Sequence, residues 1–312
     1  MGKASRGKES GSRRERIAAQ RAAEHRRQVR NRIFIAVGAV VVVVVVAVVF
    51  VVFAANHKTN PSASKAGANG PTGTALAQVV KDATTVPAST LASVGAGSVS
   101  SPPLSVTNGT PLTSGGKPEM LYIGAEYCPF CAYERWGMVV ALSRFGTFKN
   151  LSTTHSSSSD EFPNTSTWTF YKSTYTSKYV AFSPVEETTN QLASGGQSYV
   201  PLQQPTSAQQ TLLAKYDAPP YVASQSKGAI PFVYLGGKYL INGASASPQV
   251  LSGKSWASIA SSLKDPNNAV AKAVDGTANY ITAAICKTTS NQPSNVCTPG
   301  ITALQSKMKA AG

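Results

Sequence analysis

Cys128 and Cys131 are the residues whose type and spacing could do chemistry. They lie in EMLYIGAEYCPFCAYERW, residues 119–136, with only Pro129 and Phe130 between them. Two intervening residues place both sulfurs within disulfide reach across one helical turn. Such a pair can exchange electrons with thiols, staple a loop or hold a metal. Leu121, Tyr122 and Ile123 read as a short buried strand closed by Gly124. From Ala132 to Leu142 the pattern is helical, with Tyr133, Trp136, Val139 and Val140 on one apolar face. A strand that delivers a cysteine to a helix N-terminus favours the redox use. The partial positive charge and free N–H groups there stabilise a thiolate at Cys128. Pro129 shapes the turn and removes one donor.

The other uses of the pair remain open. A structural disulfide across so short a loop closes little chain entropy and so stabilises little. A four-cysteine zinc site would have to recruit Cys286 and Cys297, whose ten intervening residues are not a short knuckle spacing. Only His25, His57 and His155 are present, too few near the motif for a Cys-His protease. Cys286 and Cys297 end a predicted helix and bracket KTTSNQPSNV, where a structural disulfide fits best and a second redox pair is the alternative. Glu126 and Glu134 flank the motif. They read as surface carboxylates, Glu134 pairing with Arg135 or Lys149, with proton transfer to a resolving thiol as the functional alternative. Tyr127, Phe130, Tyr133 and Trp136 could rim the pair, although Trp136 fits the core better. No cofactor is implied, because no phosphate-binding glycine loop occurs between a strand and a helix.

The flanking regions decide the redox compartment. Residues 33–55 carry no charge and include the valine run Val41 to Val46. As a helix they would extend about 34 Å, enough to cross a hydrocarbon layer of about 30 Å. A signal-peptide core is shorter, about 7–15 residues. Residues 1–32 hold 11 Lys+Arg against 3 Asp+Glu, a net +8 of the chain's +15. Arg26, Arg27, Arg30 and Arg32 abut the span, so the N-terminus is expected in the cytoplasm and the C-terminal part outside. Outside, disulfides persist and four cysteines read as two pairs. The basic tail lacks interleaved aromatics for base stacking. It reads as a topology signal in contact with anionic lipid, not as a nucleic-acid binder.

Beyond the span, residues 56–73 read as a Ser/Pro/Gly-rich tether, and 74–312 as one extracytoplasmic domain. Within it, helices are predicted over TALAQVVKDATTV and PASTLASVG. Two strand-like fragments flank Asn108-Gly109. Strands follow at 151–156, 167–171 and 179–182, then a helix at 206–216. GAIPFVYLGGKYLIN, residues 228–242, predicts a hairpin with a two-residue Gly236-Gly237 turn. Helices are expected over 255–264, 266–285 and 301–310, and residues 188–205 have no strong period.

CxxC, intervening elements, then proline, strand, hairpin and helix is the thioredoxin order. In that fold a cis-proline faces the active disulfide, and Pro231 of Ile230-Pro231 stands in its place. An ordinary trans proline at a strand start is the alternative. The segments YIGAEYCPFCAYERW, ALSRFGTF, SSSSDEFPNTSTWTFY, SKYVAF and VEETTN resemble the domain-of-unknown-function-929 family, from about Thr74 to the C-terminus. That resemblance implies an α/β, thioredoxin-like fold, often membrane-anchored, and implies no activity. More distantly, Cys-Pro-Phe-Cys is similar to DsbA-like and glutaredoxin-like sites. By that similarity Cys128 is the nucleophile, Cys131 the resolving cysteine and Pro231 the cis-proline. Tyr127 departs from the tryptophan of thioredoxin, and residues 143–227 form an enlarged insertion. The function expected is thiol–disulfide exchange on the thiols or disulfides of exported proteins. The alternative is a non-catalytic cell-surface binding module whose cysteine pairs are structural.

Overall fold

Pro87 and Gly95 set the first two boundaries of the fold. A computed structural model of the protein describes residues 70–311. Helix α1 (Gly73–Thr84) ends before Pro87, and α2 (Ala88–Val94) stops at Gly95, whose φ of 56° suits a residue without a side chain. The short strands β1 (Leu104–Ser105) and β2 (Thr113–Ser114) follow, on either side of Asn108 as expected. Then come β3 (Lys117–Gly124), α3 (Pro129–Ser143), β4 (Gly146–Lys149), β5 (Ser152–His155), β6 (Ser166–Thr169) and β7 (Thr174–Ser177). The chain continues with β8 (Ala181–Glu186), β9 (Thr188–Leu192), β10 (Tyr199–Pro201) and α4 (Ser207–Tyr216). It finishes with the hairpin β11 (Phe232–Leu235) and β12 (Tyr239–Asn242), helices α5 (Trp256–Ser262) and α6 (Ala269–Thr288), and short turns at the end.

The central sheet is mixed. Its order is β1-β12-β11-β3-β2, and β8 joins β3 in parallel, pairing Glu119 with Ala181 through to Gly124 with Glu186. The architecture is therefore mixed α/β. Alternation along the strands builds two cores. Met120 and Tyr122 of β3, with Val233 and Leu235 of β11, face the larger core under α3 and α6. Leu121 and Ile123, with Phe232 and Tyr234, face the smaller one beside α4. Because both faces of β3 are covered, it reads as a continuous apolar run. The insertion is organised as the two-stranded pairs β4–β7, β5–β6 and β9–β10, with β8 returning to the main sheet.

Several expectations are corrected. Three residues, Gly236 to Lys238, link β11 to β12 rather than two, because the ladder ends at Leu235 opposite Tyr239. The expected helix over 301–310 is replaced by α7 (Pro299–Thr302) and a 3-10 turn at Ala303–Lys307. There Ser105 of β1 claims the backbone of Lys309 and Ala311, so sheet pairing ends the helix. Residues 188–205 contain β9 and β10, and β4 and β7 arise from polar sequence with little alternation to announce them. The basic tail 1–32, the membrane span expected at 33–55 and most of the tether lie outside the described residues. Among the described residues no helix is long and apolar enough to cross a membrane.

Candidate functional site

The end of β3 and the start of α3 place the two cysteines. Gly124 closes the strand, Ala125 to Tyr127 turn the chain, and Cys128 becomes the N-cap of α3 with Pro129 at the first helical position. Cys128 Sγ accepts a hydrogen bond from the Cys131 N–H at 3.2 Å, the role a serine or aspartate side chain usually fills. Cys131 is wholly buried, while Cys128 keeps 4 % exposure. Across the sheet, Ile230-Pro231 is a cis peptide and Ile230 O lies 3.7 Å from Cys128 Sγ. The three residues singled out in the sequence therefore meet.

The two thiols are unequal. A hydrogen bond from Cys131 lowers the Cys128 thiol against the opposing effect of burial. The N–H groups of Cys131 and Phe130 and the charge of Arg135 lower it further. Burial pushes Cys131 well above the usual thiol range, and the bond to Cys128 adds to this. The first cysteine is the better thiolate and the second the better-held thiol.

Behind the pair lies a buried ion pair that sequence reasoning missed. Arg135 Nε and Nη2 donate to Glu186 Oε1 and Oε2 at 2.9 and 2.6 Å, and Nη2 also reaches Ala125 O at 2.7 Å. Both side chains are fully buried. Glu186 also accepts from the Phe170 N–H at 3.3 Å and lies 3.5 Å from the Tyr122 hydroxyl. Burial works against the charge on Arg135, but Glu186 outweighs it and holds the guanidinium protonated. A signal was available. In the run AYERWGMVVAL, residues 132–142, Glu134 and Arg135 are the only charges, and a charge inside so apolar a helix needs a buried partner.

The flanking carboxylates divide differently from expectation. Glu134 is not a surface residue and pairs with neither Arg135 nor Lys149. It is fully buried and accepts from the Ser245 N–H at 2.9 Å and the Ser245 hydroxyl at 3.0 Å. The face of α3 that carries it points at the loop after β12, and burial raises its carboxyl to about 7. Glu126 is half-buried, 3.5 Å from the Thr154 hydroxyl. The expected aromatic rim also shrinks. Tyr133 bonds Ala273 O at 2.9 Å and Trp136 bonds Ser166 O at 2.9 Å, both inside the core. Tyr127 remains at the mouth, stacked on Tyr199 with ring centres 4.1 Å apart. Phe130 packs edge-on to Phe162 and borders an open groove of about 500 Å³, with Ile230, Ala244 and Pro248.

Cys286 and Cys297 are joined in a disulfide with Cα atoms 5.6 Å apart. Their sulfurs bond each other, so they are not free to complete a metal site with Cys128 and Cys131. No curated protein and no solved structure matches the chain. Residues 104–287, more than half of the 312, match the family model described as "Domain of unknown function (DUF929)", and they span β1 to within one residue of the end of α6 with the whole CxxC region inside; the chain belongs to that family.

Proposed function

We propose that this protein is a thioredoxin-like thiol–disulfide oxidoreductase acting on exported proteins. In this reading residues 33–55 anchor it as a single-pass membrane protein. The N-terminus is cytoplasmic, the basic tail lies against lipid, and the domain is extracytoplasmic. The carrying observation is the placement of Cys128. It caps a helix N-terminus, receives N–H groups and faces Ile230-Pro231, while its partner Cys131 is buried one turn away. A low-pKa thiolate at such a position is the attacking species in disulfide exchange. Cys128 would attack or be attacked, and Cys131 would resolve the mixed disulfide. The segment at Pro231 would present backbone to the incoming cysteine peptide.

One observation favours the second reading, a non-catalytic binding module: Cys128 is only 4 % exposed. The reduction potential of Cys128–Cys131 in the purified full chain, with labelling of Cys128 by an alkylating reagent, decides between them. A potential of about −120 to −180 mV marks an oxidant or isomerase, and one near −270 mV a reductase. A pair that stays oxidised well below about −300 mV, with no Cys128 labelling after reductant, leaves the binding module.

A further inference from the structure

This inference rests on the oxidoreductase reading and concerns its second half-reaction. Cys128 thiolate attacks a substrate disulfide RS–SR; the Cys128–SR bond forms and one RS⁻ leaves. Cys131 must then lose its proton and attack Cys128 Sγ. The Cys128–Cys131 bond forms, the Cys128–SR bond breaks, and the second RS⁻ departs with the electron pair. The cysteine pair gives up two electrons, the substrate gains them, and the departing thiolates take up the protons. The second step is the difficult one, because Cys131 has no exposure and a thiolate there has no water to solvate it.

The groups that face Cys131 come from four directions. Cys128 approaches from the preceding turn. From β3, the Tyr122 hydroxyl packs with Cys131 Sγ against the Gly124 Cα, where an added Cβ would lie 2.2 Å from the hydroxyl and 3.1 Å from the sulfur. Glu186 comes from β8, and Arg135 comes from the same helix four residues on, a spacing that puts the two on one face. Ile230-Pro231 brings no titratable group, and the adjacent Glu134 is turned to Ser245. Arg135 spends Nε and Nη2 on Glu186 and Ala125, yet its buried Nη1 has no hydrogen-bond partner among the described residues. A buried guanidinium donor without an acceptor is costly unless some state of the protein supplies one. Tyr122 is a poor base here, since burial pushes its hydroxyl well above the usual range.

We propose that Arg135 is the positioning residue for the resolving step: its charge, one helical turn from Cys131, stabilises the Cys131 thiolate, while Glu186 locks the guanidinium in place and does not take the proton. The positive charge of Arg135 lowers both thiols, so it favours the attacking and the resolving thiolate alike.

Reaction of the reduced full chain with dithiobis(nitrobenzoate) separates the two steps. The first nitrothiolate is released in a bimolecular phase as Cys128 attacks. The second is released in a unimolecular phase as Cys131 resolves the mixed disulfide. Both phases are followed against pH in wild type, Arg135→Met, Glu186→Gln and the double variant Arg135→Met/Glu186→Met. The double variant removes both buried charges together, which a fold tolerates better than removing one. In Arg135→Met and in the double variant, the second phase should slow about tenfold at neutral pH and its midpoint should rise by about one pH unit. Glu186→Gln should leave that midpoint unchanged or lower it. A midpoint unmoved in the double variant overturns the proposal and leaves the pair a structural one. A midpoint that rises in Glu186→Gln as far as in Arg135→Met also overturns it, because the pH dependence of the second phase would then belong to Glu186. If wild type shows no second phase at all, the oxidoreductase reading falls, and this proposal falls with it.

Discussion

Asp275 offers a sharp test of the buried electrostatics, away from the cysteines. It lies on α6, has no exposure, and among the described residues neither carboxyl oxygen has a hydrogen-bond partner. Burial alone raises its carboxyl from 3.8 to about 8. Because the folded value lies above the unfolded one, the folded state holds a proton that the unfolded state has released. The Asp275 contribution to stability is therefore greatest below about pH 4 and falls as pH rises to about 8, above which the loss is constant. Each pH unit in that window is worth about 1.36 kcal/mol, an upper bound of about 4 kcal/mol by pH 7. Relaxation and water entry reduce this, and we expect about 2–4 kcal/mol. Asp275→Asn keeps the size and cannot ionise. Its stability relative to wild type, from urea melts at a series of pH values, should grow more favourable from pH 4 to 8 and then level off. At pH 8 that corresponds to a Tm higher by about 5–15 °C, relative to the offset seen at pH 4. The shape of the difference is the readout, because the absolute offset also contains the unpaired amide. Glu134 titrates in the same window and with the same sign, but it is present in both proteins and cancels. A difference that does not change with pH would refute a buried, neutral Asp275.

Two more predictions concern packing and the staple. Gly124→Ala should destabilise the fold by about 1–3 kcal/mol in a thermal or urea melt, since the new methyl must displace the Tyr122 hydroxyl and crowd the Cys131 sulfur. It should also alter the labelling rate of Cys128, and an unchanged melt would show that β3 and α3 can move apart there. Replacing both Cys286 and Cys297 by Ser should cost about 2.5–3 kcal/mol in urea, the chain-entropy value for cysteines eleven residues apart. The rate at which reductant re-reduces Cys128–Cys131 should stay constant in that variant, whereas a relay through the second pair would make it slower.

Local features announced themselves where one residue type or a repeating pattern carried the signal. The apolar run of β3, the CxxC at the head of α3, the double glycine after β11 and the periodicity of α6 were all legible. The end of α6 fell three residues beyond the expected boundary. Elements built from polar sequence were not legible. β4, β7, β9 and β10 are held by ladder bonds to one another, and backbone pairing leaves little trace in side-chain pattern. The expected C-terminal helix failed for a related reason: Ala310 bridges to Ser105, some 200 residues earlier, and helix propensity cannot register that competitor.

For the candidate site, the sequence by itself determined which atoms are candidates for chemistry and how two of them are spaced. A CxxC at a helix start has its geometry and its N–H donors within five residues, so local chemistry suffices. Only the tertiary structure decided what surrounds those sulfurs. It brought Ile230, 102 residues away, against Cys128 and Glu186, 51 residues away, onto Arg135. It turned Glu134 to Ser245 and buried it. Adjacent positions on a helix point about 100° apart, so Glu134 and Arg135 face different elements and find different partners. Which elements those are is set by the packing of α3 between the sheet, α6 and the loop after β12, and no local pattern in the chain encodes it.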